Sequence, residues 1–222
     1  MKIRVLQAII IALSLTECGF KDPKKNLSAE EIISNSIDFH DPNSSWKSFK
    51  ATMHFESSFS FNDSIPEDLE LSFDNSKAYF NYLNHDRKVN LKYHPDTCIK
   101  LTENGDCNGY SWTYGFYPYI WGLPMKLKDP GIKPQKNFCK TVFNNDSVWE
   151  VKVHYEAENY WFYFSPWDFQ LKGFKFIKND NPNKGEIVIL RGLKEFKGIK
   201  FPKHRTWLHL DSSLIGTNEF LH

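Results

Sequence analysis

Apolar and polar side chains alternate with a period of two over most of the chain after Trp46. Between residues 49 and 61 the apolar positions are Phe49, Ala51, Met53, Phe55, Phe59 and Phe61, and the positions between them are mostly polar. Trp149, Val151, Val153 and Tyr155 repeat the pattern. Because successive side chains of a strand point to opposite faces, this spacing predicts antiparallel strands with one buried and one solvated face.

Further alternating segments predict about 10–12 strands in all. These are residues 69–73, 89–93, 171–176, 185–191, 204–211 and 217–221. At residues 160–164 the alternation is lost and both faces are aromatic, which predicts a strand covered on both sides. The phase of the alternation slips at Gly173, which predicts a β-bulge. An open sheet of this size tends to curl. We therefore expect a mainly β fold, a strongly curved antiparallel sheet or incomplete β-barrel wrapped around a helix, with a closed barrel as the alternative.

The helix is predicted at residues 27–39, near the start of the chain. Ser28 followed by Glu31 forms a capping-box sequence, and Leu27 can pack against Ile32 as a hydrophobic staple. Ile33 and Ile37 share a face with Ile32. The helix is therefore amphipathic, and its apolar face is available to pack against the curved sheet.

The first residues resemble a bacterial export signal. Lys2 and Arg4 precede an apolar run over residues 5–15, which is too short to span a bilayer. Cys18 follows and is the predicted lipidation site. We expect a signal peptide at 1–17, a lipidated cysteine and tether at 18–26, and one domain at 27–222, in an envelope protein anchored to the membrane, most simply the outer membrane.

Composition excludes some classes of partner. The chain has 28 basic and 27 acidic residues and no basic stripe, so nucleic acid is not expected to bind. Aromatic residues make up 16% of the sequence, which requires an aromatic core or cavity.

The inward positions assigned by alternation are almost all apolar. His204 and Arg205 are expected to be exposed, because they lie at the start of a predicted strand.

Residues 110–131 break the strand rhythm. The segment is rich in aromatic side chains, and its prolines and glycines forbid a long helix. We expect a loop or short helical insert at the mouth of the sheet. It either plugs the core or forms a cover that lines a ligand site.

Cys98 and Cys107 are a candidate disulfide of an exported protein. A two-residue turn at Asn104-Gly105 would place their Cα atoms roughly 13 Å apart, beyond the ~7 Å limit for a disulfide. The two cysteines are therefore bonded only if the loop between them is irregular. Cys139 is expected to be a small buried side chain.

The sequence has no motif of a known catalytic or cofactor site. His54 with Glu56 and His154 with Glu156 each place two metal-ligand types on one strand face. They fall on the polar faces, so solvated pairing is the preferred interpretation. No cofactor, metal site or catalytic residue is predicted.

Several short motifs resemble a family of uncharacterised Gram-negative envelope lipoproteins. They are Tyr117-Pro118 through Leu123, Leu127 through Gly131, Tyr163-Phe164, Pro166-Trp167, Gly185-Glu186, Gly198 through Pro202 with Trp207, and Leu214 through Thr217. That family is similar in turn to the lipoprotein-sorting and receptor proteins of LolA/LolB-like fold. The resemblance implies an incomplete barrel curved around helices, with an apolar lumen for acyl chains, and carries over no catalytic residue.

These observations favour a non-enzymatic, monomeric binding module for an apolar ligand such as an acyl chain, a lipid or a lipoprotein moiety. The candidate lining residues are Phe55, Phe59, Leu71, Phe73, Leu91, Tyr93, Trp112, Trp121 and Trp149. Glycan binding is an alternative if Trp112 and Trp121 form an exposed platform. An envelope protein that binds a partner or senses stress through a sheet edge is another, and a hydrolase would need convergent polar residues inside the cavity.

Overall fold

The computed structural model describes residues 27–63, 65–94 and 97–222, which form twelve β-strands and two α-helices. The helices are α1 (Ala29–His40) and α2 (Ser111–Trp121). The strands are β1 (Lys50–Phe59), β2 (Glu67–Asp74), β3 (Tyr79–Asn84), β4 (Val89–His94), β5 (Thr97–Lys100), β6 (Pro134–Phe143), β7 (Asp146–His154), β8 (Glu158–Phe164), β9 (Leu171–Lys178), β10 (Gly185–Phe196), β11 (Ile199–His209) and β12 (Leu214–Phe220). The signal peptide, Cys18 and the tether lie outside the described residues.

All twelve strands belong to one antiparallel sheet with the order β5-β4-β3-β2-β1-β12-β11-β10-β9-β8-β7-β6. Neighbours in space are neighbours in sequence except where β1 pairs with β12, so two meanders join at that seam. The sheet is curved and does not close, because β5 and β6 remain as its edges. The prediction of a curved, incomplete barrel is confirmed, and the closed alternative is wrong.

Strand β1, which lies at the seam, shows the predicted alternation of buried and exposed side chains. On β1 the side chains of Met53 and Phe55 are fully buried, and Phe55 lies opposite Leu69 of β2 and Phe220 of β12. Phe61 differs from the expectation, since 70% of its surface is exposed. The strand ends at Phe59, and a 3₁₀ turn over Ser60–Asn62 carries Phe61 off the inner face.

Helix α1 begins as the sequence predicts. The Ser28 hydroxyl accepts a hydrogen bond from the Glu31 N–H, and the Glu31 carboxylate accepts one from the Ser28 N–H. At the other end His40 is fully buried and donates from Nδ1 to the Lys200 carbonyl at 2.5 Å. Its Nε2 accepts the Leu171 N–H at 3.1 Å, so one imidazole ties α1 to β11 and β9.

The segment after β5 folds differently from the expected hairpin. Residues 101–110 form irregular turns, in which the Asp106 carboxylate accepts the N–H groups of Asn108 and Gly109. This path brings Cys98 and Cys107 to a Cα separation of 5.9 Å, and the two form a disulfide. The two-residue turn at Asn104-Gly105 is therefore the part of the expectation that fails.

The Gly173 region contains the predicted irregularity. Tyr163 pairs with Gly173 and Phe164 pairs with Leu171, which leaves Lys172 as an extra residue on β9. In the described part of the chain no helix is both long enough and apolar enough to cross a membrane.

Candidate functional site

Helix α2 lies across the concave face of the sheet. The chain leaves edge strand β5, passes through α2 and enters the opposite edge strand β6. Aromatic rings of α2 contact rings from both meanders: Tyr114 with Tyr93, Tyr117 with Tyr82, Trp121 with Phe55, Phe116 with Trp207, and Tyr119 with Tyr160. The aromatic-rich segment is thus a short helical cover over the inner face.

The helix depends on its surroundings, because its own sequence favours it weakly. Its N-terminus has no side-chain cap, and Pro118 lies within it. Gly122 ends it at a close approach, since a Cβ there would lie 2.6 Å from the Trp46 ring and 2.8 Å from the Pro118 carbonyl. The Thr113 hydroxyl contacts the Tyr93 hydroxyl at 3.0 Å and links the first turn to β4.

Most of the candidate lining residues are buried on this face. Phe55, Leu71, Phe73, Leu91, Tyr93, Trp121 and Trp149 are all less than 9% exposed. The structure brings Phe55 to Trp121, with ring centroids 3.9 Å apart, and Tyr93 to Tyr114. Trp149 lies in the other meander against Phe138. Phe59 is half-buried, and the side chain of Trp112 lies outside the described part of the structure.

A groove of about 970 Å³ opens beside the cover. It lies between the end of α1, helix α2 and the β2–β3 connection, and Phe73, Phe80, Pro118 and Met125 contribute apolar lining. Gly115 of α2 faces open space there, because a Cβ at this position would meet no atom within 4 Å. The volume matches that of ordinary small-molecule sites.

Another cavity, of about 990 Å³, is lined by Phe116, Phe176, Glu186 and His209 among others. Its lining is more polar, with Glu158, Lys178, Lys184 and Asp211 also present. Burial, together with the nearby Glu158 charge, raises the pKa of Glu186. The groove beside α2 is the better candidate for an apolar ligand, because both helices and the sheet contribute apolar side chains to it.

The inner face is less apolar than alternation suggested. Four buried polar residues form one row across adjacent strands, in the order Glu67, Ser57, Asn218 and Arg205. Each lies two positions along its strand from a buried apolar residue of the inner face, namely Leu69, Phe55, Phe220 and Trp207. The expectation that Arg205 is exposed is wrong, since only 1% of its surface is exposed. In the sequence, Arg205 lies an even number of positions from the apolar residues Phe201 and Trp207, and this spacing places all three on the same face of the strand. His204 is half-buried, with 44% of its side chain exposed.

At one end of the row Glu67 is fully partnered. Its carboxylate accepts two hydrogen bonds from Arg87, at 2.6 and 2.8 Å, and one each from Asn84 and Asn62. Burial alone would raise the pKa of Glu67, but these donors outweigh it and hold the pKa below its usual range. This end of the row is a closed ion-pair network.

In the middle of the row, Asn218 links three strands. Its amide donates to the Ser57 hydroxyl at 2.7 Å, and its carbonyl oxygen accepts the Trp207 Nε1–H at 2.7 Å. These bonds satisfy the side chain at a buried position. The middle of the row is therefore part of the permanent structure.

At the other end Arg205 has no carboxylate partner among the described residues. One hydrogen bond runs from Nη1 to the Pro202 carbonyl at 3.2 Å, and Nε has no acceptor. The guanidinium carbon lies 3.1 Å from the centroid of the Trp121 ring. Burial lowers the pKa of this guanidinium. An unpaired buried charge costs several kcal/mol, of which a desolvated cation–π contact returns about 2.

The two His–Glu pairs on the polar strand faces do not come together to form a metal site. His54 lies on β1 and His154 on β7, and five strands separate them in the sheet. His54 faces Glu70 instead, and His154 contacts Asn159. Among residues 27–63, 65–94 and 97–222, no group of three or more His, Cys, Asp or Glu side chains is arranged to hold a metal ion.

Comparison with known proteins supports the fold. No protein-family model matches the sequence, and no curated protein matches it. A LolA superfamily protein from Nitrosomonas europaea superposes with a TM-score of 0.55 at 7% identity, covering 88% of this chain and 92% of that one. A domain described as an outer membrane lipoprotein-sorting protein from Vibrio parahaemolyticus gives 0.52 at 8% identity, covering 87% and 92%. The chain has a LolA-like fold, in agreement with the resemblance read from its motifs.

Proposed function

We propose that this protein is a membrane-anchored envelope lipoprotein that binds an apolar ligand, either an acyl chain, a lipid or a lipoprotein moiety, without catalysis. It acts as a monomer and needs no cofactor. The observation that carries the proposal is the aromatic helix α2 laid across the concave face of a LolA-like sheet, with a groove open beside it. A sheet of this kind can receive a chain between its inner face and its cover.

The groove and the buried face supply the energy that such a ligand needs. Each buried CH₂ group stabilises a complex by about 0.8 kcal/mol, so a chain of ~16 carbons gains of order ten kcal/mol before ordering costs. The walls are apolar and aromatic at Phe73, Phe80 and Met125. No polar chemistry is required to hold an acyl chain there.

The glycan-binding alternative required an exposed aromatic platform that included Trp121. Trp121 is 1% exposed and packs on Phe55. That alternative therefore loses the side chain on which it depended. Binding of a protein partner through edge strand β5 or β6 remains the competing proposal, and it predicts a clean protein with no bound lipid.

The test is mass spectrometry of organic extracts from protein purified gently from its native membrane. We expect stoichiometric lipid in the wild type. Gly115→Trp directs an indole from a position where a Cβ meets open space toward the groove and should lower lipid occupancy about tenfold. Gly115→Ala also removes the glycine from the helix but leaves the groove open, and it should retain the lipid. Wild-type protein that carries no lipid, or equal occupancy in all three proteins, would contradict the proposal.

The anchor is tested separately at Cys18. Cys18→Ser should leave the membrane fraction, and the mature wild-type chain should begin with an acylated cysteine in intact-mass analysis. Unchanged membrane retention of Cys18→Ser, or a mature chain whose mass shows no acyl group on Cys18, would contradict lipidation.

A further inference from the structure

Two donors that meet beneath α2 have no acceptor in the described part of the chain. They are Nε of Arg205 and Nε1 of Trp121, both fully buried, and their side chains stack on each other with 3.1 Å between the guanidinium carbon and the ring centroid. Buried donors are almost always satisfied in folded proteins. Two unsatisfied donors in contact, one of them on a cation, have the chemistry to bind an anion.

The contrast within the polar row makes the same point. Glu67, at the opposite end, is surrounded by matched donors, so the fold is capable of completing a buried charge on this face. On the neighbouring strands Arg205 lies opposite Leu190 and Asn218. The Asn218 amide already donates to Ser57, and its carbonyl oxygen already accepts a hydrogen bond from Trp207. Among the described residues, the Pro202 carbonyl is therefore the acceptor that Arg205 finds.

We propose that Arg205, together with the indole N–H of Trp121, is a subsite for the anionic headgroup of an amphipathic ligand, a carboxylate or a phosphate attached to an acyl chain. This inference rests on the proposed function and adds the ligand's charge and the residue that recognises it. The planar guanidinium can donate two parallel hydrogen bonds to such a group. The group reaches Arg205 when α2 shifts, and the chain lies along the apolar inner face.

The geometry also sets the orientation of the ligand. Trp207 and, four positions away, Phe201 are buried on the same strand as Arg205. Phe220 lies on the adjacent strand β12 and contacts Phe55 of β1 across the seam. A headgroup paired with Arg205 is therefore surrounded by side chains suited to the hydrocarbon that follows it. Trp121 packs on both Phe55 and Arg205. Its displacement therefore exposes the apolar inner face and the Arg205 guanidinium together.

Calorimetric titration of the purified full chain tests this subsite. The probes are dodecanoate, dodecyl phosphate and methyl dodecanoate, with acetate and inorganic phosphate as headgroups without a chain. We expect both anionic amphiphiles to bind at least about tenfold more tightly than the ester, in line with the strength of charged hydrogen bonds, and the free ions to bind weakly. Tight binding of inorganic phosphate alone would overturn the assignment to an amphiphile.

Variants locate the effect. Arg205→Met should abolish the preference for the acid over the ester while ester binding persists, and Arg205→Lys should keep part of the preference. Arg191→Met is the matched control, because Arg191 is exposed on the neighbouring strand β10. Should Arg205→Met fail to fold, the wild-type comparison of acid and ester still decides the matter.

The failures are distinguishable. Equal affinity of the wild type for acid and ester overturns the headgroup subsite and leaves apolar binding intact. Failure of all three amphiphiles to bind overturns apolar binding together with the subsite. An acid preference that Arg205→Met retains would mean that another cation supplies it, which also contradicts the assignment.

Discussion

The two helices on the concave face differ in how firmly they are held. Helix α1 has a complete capping box, an amphipathic sequence and a buried His40 that bonds to two strands. Helix α2 has no side-chain cap, contains Pro118 and leaves the Trp121 N–H without an acceptor. The contrast indicates that α1 is a fixed part of the framework, whereas α2 is held by aromatic packing, as the proposed exchange of that packing for a ligand requires.

The two helices also differ in whether the buried polar groups next to them have hydrogen-bond partners. Both ring nitrogens of the buried His40, at the end of α1, have partners that belong to the protein, and these bonds stabilise one arrangement. By contrast, Nε of Arg205 and Nε1 of Trp121, beneath α2, have no partner among the described residues. Unsatisfied groups at a cover are the kind of local inconsistency that functional sites carry.

The largest expected effect is at the contact between α2 and the sheet. Trp121→Ala removes a fully buried indole from Phe55 and Arg205 and should lower the free energy of unfolding by about 3–5 kcal/mol, measured by urea denaturation. Trp167→Ala is the control, because Trp167 is 87% exposed and its loss should change stability by less than about 0.5 kcal/mol. A small effect at Trp121 would show that α2 is not packed as described.

The next effect concerns the attachment of α1. Burial lowers the pKa of His40 to about 4, from 6.5 in an exposed imidazole. The unfolded chain therefore binds an extra proton between these values, and stability should rise with pH across that window. As the pH falls from about 7 to 4, up to about 3 kcal/mol should be lost through this residue.

The check is a series of urea denaturations over that pH range. His40→Gln should show a correspondingly flatter pH dependence, and the exposed His154→Gln should keep the wild-type slope. Parallel curves for wild type and His40→Gln would rule out this attachment. Carboxylates such as Glu67 contribute equally to all three proteins, so only the difference in slope matters.

The smallest effect is at the start of α1. Ser28→Ala removes the acceptor of the Glu31 N–H and should lower the free energy of unfolding by about 1 kcal/mol. Ser34→Ala, within the same helix, should change it by less than about 0.5 kcal/mol. If the two substitutions had the same effect, the capping box would not stabilise α1.

The elements that could be predicted from the sequence are those marked by a pattern of neighbouring residues. The capping box at Ser28 and Glu31 and the alternation along β1 identify their elements without knowledge of the rest of the chain. Phe61 was assigned to the inner face because alternation does not report where a strand ends. The Cys98–Cys107 disulfide depended on the path of an irregular loop, which no local rule specifies.

The candidate site was harder to predict for a topological reason. The polar row combines residues from β2, β1, β12 and β11, and its members meet only because the last strand of the chain pairs with the first. Ser57 and Asn218 are 161 positions apart in sequence. Neither the contact of Arg205 with Trp121 nor the missing acceptor for its Nε among the described residues can be inferred before that pairing is known.

The central claim is that the apolar ligand lies on the concave face beneath and beside α2. Photo-crosslinking with a fatty acid that carries a diazirine on its chain tests this most directly, with the attachment sites mapped by peptide mass spectrometry. We expect crosslinks to α2 and to inward-facing residues such as Phe55, Phe73 and Phe80, and their loss in Gly115→Trp but not in Gly115→Ala. Crosslinks concentrated on the outer face of the sheet, or unaffected by Gly115→Trp, would contradict the account.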